Sequence, residues 1–320
     1  MLKIGIWRAD QDTPVQRWWR RGSIAASILA DDACAAPGRF ERIMQQISLS
    51  NRVARTTFPG RFAAFNESVQ TCLENVFRPD EQLIAEDWAV SSGTTAAEWF
   101  QRLQTGFPRV RFTASDAALY LVEARRRNDA YILQPDGTPI QYVRPPFVVS
   151  LVQKHSWLYP VNRVVQARAL REWERIAPQL EIPEWPDFSG PAVVIQGAFE
   201  LRRLPLLHPE VLALRSEAFQ IRRHSVFSAL SAPVDLIRTM NILNRAYFSE
   251  AQLRDAIEAV DRSLKPGGVW IVGRTVSEQP PQHEATVYRK HASGWEPLLR
   301  IGRGSEIEPL VPRAIHNSES

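Results

Sequence analysis

The sequence predicts an α/β protein: a mostly parallel sheet with helices on both faces, a C-terminal antiparallel hairpin, and a helical region ahead of it. Three observations lead there. From about residue 81, apolar strand-like runs alternate with amphipathic helical stretches. A loop of small residues, "AVSSG" (Ala89 to Gly93), joins the first of these strands to a helix. An acidic residue, Asp116, ends the second strand, 23 residues after Gly93 (116 − 93).

The elements follow in order. Residues 1 to about 80 read as helical; "RFAAFNESVQTCLENVF" sets Phe62, Phe65, Val69, Cys72, Leu73 and Val76 on one face. Pro37-Gly38 and Pro59-Gly60 break that region into pieces. "QLIAEDWAV" is a strand, followed by a helix from about Thr94 to Gln104. "RVRFTAS" is a strand ending at Ser115-Asp116, and "AALYLVEARRR" reads as the next helix. "AYILQPDGTPIQYV" is a hairpin about Pro135-Asp136-Gly137, and "VNRVVQARALREWERI" is an amphipathic helix. This hairpin and helix, about 131–178, interrupt the alternation and read as an insertion serving as a substrate lid or a contact in a homo-oligomer. Pro178 to Pro191 is a proline-rich connector. "PAVVIQG", "AFQIRRHSVF" and "VDLIRTMNIL" are strands, about Glu250 to Leu264 is a helix, and "GGVWIVGRT" is a buried strand. "EATVYRKHASGWEPLLRIG" closes the sheet as a hairpin about Ser293-Gly294. The predicted organisation is therefore 1–80 helical, 81–311 the α/β domain with its insertion, and 312–320 a tail.

Composition narrows the classes. The chain has 320 residues, 44% apolar and 23% charged, enough for a sizeable core. No apolar run approaches the ~20 residues of a membrane span, and "MLKIGIWRADQDTP" lacks a signal-peptide pattern. Cys34 and Cys72 form no metal or redox motif, so a cytoplasmic protein with reduced thiols is expected. The net charge of +4 comes with interspersed acids, and the one dense basic-aromatic cluster is "RWWRR" (Arg17 to Arg21). It reads as a helix packing its tryptophans, and no nucleic-acid partner is expected. The histidines (His155, His208, His224, His283, His291 and His316) show no ligand spacing, so no metal is expected. There is no nucleophile elbow and no zinc-protease pair.

In open α/β sheets ligands bind beyond the carboxyl ends of the strands, and three features fall there. Every second residue from Asp87 runs Asp87, Ala89, Ser91, Gly93: a loop that has kept smallness without keeping glycine, suited to close approach by a cofactor. It could equally be an ordinary strand-to-helix turn capped by Ser92. Asp116 could accept two hydrogen bonds from a ribose diol, or cap a following helix. Asn241, after "VDLIRTM", places an amide at a strand end, either over the cleft or satisfied by backbone.

These pieces, in this order, resemble a class I S-adenosylmethionine-dependent methyltransferase over about residues 80 to 305, a Rossmann-like fold. The resemblance is firmest in "PVDLIRTMNILNRAYFSEAQLRDAIEAVDRSLKPGGVWIVGRT". Within that superfamily the pattern is distantly similar to the chemotaxis receptor glutamate methyltransferases: "AVSSG" to their Gly-Cys-Ser-Thr-Gly loop, "TASDAA" to their acidic segment, "DLIRTMNIL" to their Asp-Leu-Ile-Phe-Cys-Arg-Asn-Val-Leu, and "RTTFPGRFAAF" to their Thr-Ser-Phe-Phe-Arg segment. The first loop glycine is Ala89 here, "GTTAAEW" replaces their Gly-Glu-Glu-Pro-Tyr run, and Tyr247 and Arg61 are offset from their counterparts. The fold and cofactor therefore carry over and the substrate does not.

The resemblance implies S-adenosyl-L-methionine as cofactor. Asp87, Ala89, Ser91 and Gly93 would line it, Asp116 would hold its ribose, and His224 or Ser225 would lie near the adenine. Met240 and Asn241 would face the methionine and the transferable methyl. Asn241 and Tyr247 are the candidate catalytic residues, and Arg61 and Tyr247 would position an unidentified acceptor, a small molecule or a protein side chain. Methyl transfer needs orientation and desolvation more than a strong base, which suits a chain without a triad. Two other classes stay open: a binding module that kept the sheet and lost the chemistry, and a nicotinamide-dependent oxidoreductase, whose Gly-x-Gly-x-x-Gly this chain lacks.

Overall fold

The computed structural model describes residues 5–8, 24–31, 34, 38–47, 49, 57–152, 160–185 and 188–314. A 3₁₀ helix, Ala26–Ala30, comes first, then helices α1 (Arg39–Met44) and α2 (Ala63–Glu74). Strand β1 (Ile84–Trp88), helix α3 (Thr94–Gly106) and strand β2 (Arg111–Asp116) follow. Next come β3 (Tyr120–Arg126), β4 (Asp129–Leu133), β5 (Pro139–Arg144), β6 (Phe147–Ser150), α4 (Pro160–Ile176), β7 (Val193–Gln196) and β8 (Phe199–Pro205). The chain ends with α5 (Pro209–Ala213), β9 (Phe219–Arg223), β10 (Val234–Met240), α6 (Glu250–Ser263), β11 (Leu264–Glu278), β12 (Pro281–His291) and β13 (Gly294–Ile301). It divides into two compact units, residues 1–56 with 118–210 and residues 57–117 with 211–320.

The second unit holds a sheet in the order β13-β12-β11-β10-β1-β2-β9. The five strands β11, β10, β1, β2 and β9 are mutually parallel. Numbered by their order in the chain they lie 3-2-1-4-5, the order of doubly wound sheets, with the switch point between β1 and β10. Strands β12 and β13 add the expected antiparallel ending. Alternation along each strand separates two faces. Trp88, Ile237, Trp270 and Val272 pack on one side with Leu253, Ile257 and Val260 of α6. On the other, Phe100 of α3 packs on Phe112 and Phe219 at 5.7 and 5.1 Å between ring centres. Helix α6 starts where its sequence says it should: Ser249 and Gln252 form a reciprocal capping box. Helix α2 buries Phe65, Val69 and Leu73, the face read from its periodicity.

The first unit is a six-stranded antiparallel sheet, β6-β5-β4-β3-β8-β7. Segments from residues 24–49 cover one face with Ile24, Ile28, Phe40 and Ile43, against Leu121, Ile132 and Val143. Gln141 clamps that cover, accepting from the Ala26 N–H at 2.9 Å and donating to the Ile24 carbonyl at 3.0 Å. Helix α4 and the Trp185 segment meet the other face: Tyr131 packs at a tilt against Trp173 at 5.1 Å, and Tyr120 meets Trp185 edge-on at 5.3 Å.

Several expectations change. "AALYLVEARRR" is strand β3, not a helix. It lies between β4 and β8 and is buried on both faces, so its apolar run carries no period of two. With β6 and β8, absent from the sequence reading, the hairpin predicted at 131–178 becomes part of a sheet running from Tyr120 to Pro205. "PAVVIQG" is a strand as expected, β7, at the sheet edge with Val193 40% and Ile195 67% exposed. In the 1–80 region the described residues contain the 3₁₀ helix, α1 and α2. "RWWRR" and residues 315–320 lie outside the described residues. No described helix is long and apolar enough to cross a membrane.

The second unit is built around a buried ion pair across the switch point. Arg238 on β10, 1% exposed, donates from Nε to Asp87 Oδ1 on β1 at 3.0 Å and from Nη2 to Oδ2. The same guanidinium donates to Asn66 Oδ1 of α2 at 3.2 Å and to the Thr95 carbonyl of α3 at 3.1 Å, and lies 5.1 Å from the Trp99 ring centre. Asp87→Ala leaves that charge uncompensated and is expected to cost about 3–5 kcal/mol, whereas Asp87→Leu with Arg238→Met recovers most of the loss. Urea unfolding of the two variants checks both values.

Candidate functional site

The loop after β1 answers how small residues stand in for glycines. Ala89, Ser91 and Gly93 have φ of +63°, +58° and +78°. Alternate residues thus adopt the left-handed conformation that costs a residue with a Cβ ~1–2 kcal/mol. Two neighbours hold the loop there. The Ser91 N–H donates to Asp116 Oδ2 at 2.9 Å, and the Val90 N–H to the Ser115 carbonyl at 3.1 Å. Gly93, not Ser92, is the N-cap of α3, with no side-chain cap; Ser92 Oγ lies 3.1 Å from Thr94 Oγ1. No helix follows Asp116, so capping is not its role. It is 8% exposed, and its carbonyl accepts the His224 N–H at 3.1 Å. Asp116 thus joins the ends of β1, β2 and β9.

Asp87 points away from this loop, its carboxylate bound to Arg238. On the opposite face of β1, Glu86 accepts from Arg222 Nη2 of β9 at 2.6 Å, and Trp88 lies 4.6 Å from His224 between ring centres. Burial raises the Glu86 carboxyl to about 7 against the pull of Arg222. Burial, and then the charge of Arg222, lower His224 to about 4. His224 Nε2 is buried without a hydrogen-bond partner. Ser225 Oγ accepts the Phe227 N–H at 3.3 Å, so that hydroxyl serves a turn.

The end of β10 forms the second cluster. Met240 is buried, and Asn241 has φ +62°, a left-handed conformation asparagine tolerates better than most residues. The Asn241 N–H donates to the Gly273 carbonyl at 2.8 Å. On its other side Gly273 lets β12 come close, because a Cβ there would fall 2.3 Å from Ala285 Cβ. The Asn241 amide faces β11: Oδ1 accepts the Thr275 N–H at 2.6 Å and Nδ2 donates to Thr275 Oγ1 at 3.4 Å. Thr275 Oγ1 lies 3.2 Å from His283 Nδ1, and His283 Nε2 lies 3.0 Å from the Arg61 carbonyl. Arg61, 6% exposed, pairs with Glu278 at 2.5 Å. Tyr247 is 39% exposed, and its ring centre lies 6.4 Å from that of Phe248.

Asn241 and Arg61 are therefore brought together, joined by Thr275 and His283 with Glu278 on Arg61, three residues that were missed in the sequence reading. So were Glu86 and Arg222 beside His224. The pairing of Thr275 opposite His283 is set by the β11–β12 register, and the turn at Gln279-Pro280-Pro281 was the sequence signal for it. Among the described residues no group of three or more His, Cys, Asp or Glu could hold a metal ion.

No family model and no curated protein matches the chain. Among solved structures it is similar to an O-methyltransferase family protein from Burkholderia thailandensis (10% identity, 78% of this chain and 44% of that one, TM-score 0.31). It is also similar to the CMeT domain of the citrinin polyketide synthase (11% identity, 68% and 36%, TM-score 0.30). A third is the SAM-bound amino pentose methyltransferase CalS10 from Micromonospora echinaspora (13% identity, 74% and 71%, TM-score 0.29). The chain spans less than half the length of the first two.

Two expected outcomes follow. Glu86, raised to about 7, adds stability that is full below its unfolded value near 4.5 and lost as pH climbs to 7. His224, lowered to about 4, adds stability that is full above 6.5 and lost as pH falls towards 4. The two slopes oppose each other between about pH 4.5 and 6.5. Relative to the parent protein, His224→Phe makes stability fall as pH rises across that window, and Glu86→Gln makes it rise; urea midpoints against pH read both. Separately, Ser91→Gly relieves the left-handed backbone and keeps the N–H to Asp116, raising stability by about 1 kcal/mol in the same assay.

Proposed function

We propose that the second unit binds S-adenosyl-L-methionine at the carboxyl ends of β1, β2 and β10 and transfers its methyl group to an acceptor, a small molecule or a protein side chain. The observation that carries this reading is the left-handed series Ala89, Ser91, Gly93, held by Asp116 at the switch point of a 3-2-1-4-5 sheet. Strained backbone in non-glycine residues persists where the surroundings over-determine it, and it concentrates at ligand sites.

The residues present fit the cofactor. The turn carries no side chain larger than serine at its three left-handed positions. Asp116 is the acidic group for a ribose, and the orphaned Nε2 of His224 is a polar atom for an adenine edge. Met240 and Asn241 would stand at the methionine end, and Tyr247 and Arg61 on the acceptor side. Bound there, the sulfonium would supply an electrophilic methyl group. The protein's own contribution is orientation and water exclusion: the loop, Met240 and Asn241 would line the methionine end, Asp116 and His224 would hold the ribose and adenine, and the aromatic ring of Tyr247 offers a wall for the acceptor.

A second reading, a binding module without chemistry, is favoured by one observation. Asn241 and Arg61, two of the groups expected to act, are engaged with Thr275 and Glu278 inside the protein. Calorimetric titration with S-adenosylhomocysteine tests the first reading. Micromolar binding is expected, weakened about a hundredfold in Asp116→Ala as two charge-assisted hydrogen bonds are lost. No binding by the parent protein overturns the cofactor assignment. Binding without methyl transfer to any acceptor in a cell extract supplied with labelled S-adenosyl-L-methionine favours the module.

A further inference from the structure

We propose that Thr275 and His283 are positioning residues that set the orientation of the Asn241 amide. The proposal rests on the cofactor reading above for its purpose, but not for its geometry.

Two backbone groups determine every role in the chain of hydrogen bonds. The Arg61 carbonyl can only accept, so His283 Nε2, 3.0 Å away, carries the ring proton. His283 Nδ1 is then the acceptor, and Thr275 Oγ1 at 3.2 Å donates to it. At the other end the Thr275 N–H can only donate, so the Asn241 atom 2.6 Å from it is Oδ1. Nδ2 is left to donate to Thr275 Oγ1 at 3.4 Å. Turning the amide over would set two donors and two acceptors against each other.

The ring itself is held. Phe62 and Phe65 lie 4.9 and 5.4 Å from His283 between ring centres, and β11 pairs Thr275 directly opposite His283 on β12. Burial pushes the imidazole below its ordinary pKa; the hydrogen bond to the Arg61 carbonyl and the charge of Glu278 oppose that, the Arg61 charge adds to it, and the net shift is downward, so the neutral ring is the form at neutral pH. Arg61 and Phe62 lead into α2, on the acceptor side of the proposed site. Asn241 stands on the cofactor side. His283 and Thr275 therefore tie the acceptor segment to the group expected to face the methionine, through four hydrogen bonds.

The test uses the full chain with Thr275→Val, Thr275→Ser and His283→Phe, the last keeping the ring contacts. Nitrogen-15 NMR at pH 7 is expected to show His283 as the Nε2–H tautomer, and slow exchange of the Asn241 amide protons. Thr275→Val speeds that exchange about tenfold and Thr275→Ser restores it, as loss and recovery of one hydrogen bond require. S-Adenosylhomocysteine affinity falls about tenfold in Thr275→Val and His283→Phe and recovers in Thr275→Ser. An Nδ1–H or mixed tautomer, or amide exchange unchanged in Thr275→Val, overturns the proposal. So does tight binding that Thr275→Val leaves untouched. If the tautomer and exchange results hold while no variant and no parent protein binds S-adenosylhomocysteine, the positioning stands and the cofactor reading fails.

Discussion

The buried pair of Asp87 and Arg238 is the constraint on which the second unit depends. A guanidinium withdrawn from water is tolerable only when every donor is met and an opposite charge lies against it. Here the partners of Arg238 on β10 come from three other elements: β1, α2 and α3. Each must arrive for the charge to be satisfied, so the pair fixes β1 beside β10 and seats both helices on the same face. This is also where the parallel order reverses, and where the chain leaves both strands with left-handed residues.

The strain above that pair is held by the same logic. Ala89, Ser91 and Asn241 adopt backbone conformations that each oppose folding by about 1–2 kcal/mol. They persist because backbone hydrogen bonds to Asp116, Ser115 and Gly273 leave no other geometry open. Glycine would have removed the cost. Alanine and serine instead stiffen the turn, since they have fewer unfolded conformations to lose. A loop with a single glycine is thus still a glycine-type loop in shape, and the support has moved from the residue type to the neighbours.

Two clusters meet at the strand ends, and they differ electrically. Around His224 the groups are poised near neutrality, with a carboxyl raised to about 7 and an imidazole lowered to about 4 on either side of Arg222. Around Asn241 the groups are closed on one another, from the amide through Thr275 and His283 to Arg61 and Glu278. The first has a buried ring nitrogen without a partner; the second has the roles of its amide and ring fixed by backbone.

The sequence by itself determined the local events: the strand-to-helix turn at Ala89 to Gly93, the helix from about Glu250, the apolar face of α2, the hairpin about Ser293-Gly294, and Asp116 at a strand end. Each of these is decided within a few residues, by side-chain size, period or capping chemistry. The tertiary structure alone decided the rest. "AALYLVEARRR" became a strand because neighbours on both sides supplied hydrogen bonds and burial, which no periodicity inside it records. Asp87 became half of an ion pair because Arg238 stood opposite it 151 positions along the chain. His283, one histidine among six in the sequence, gained its place only when the β11–β12 register set it against Thr275. Contacts between residues far apart in sequence leave no mark in the chain that carries them, because the partner, not the residue, supplies the energy.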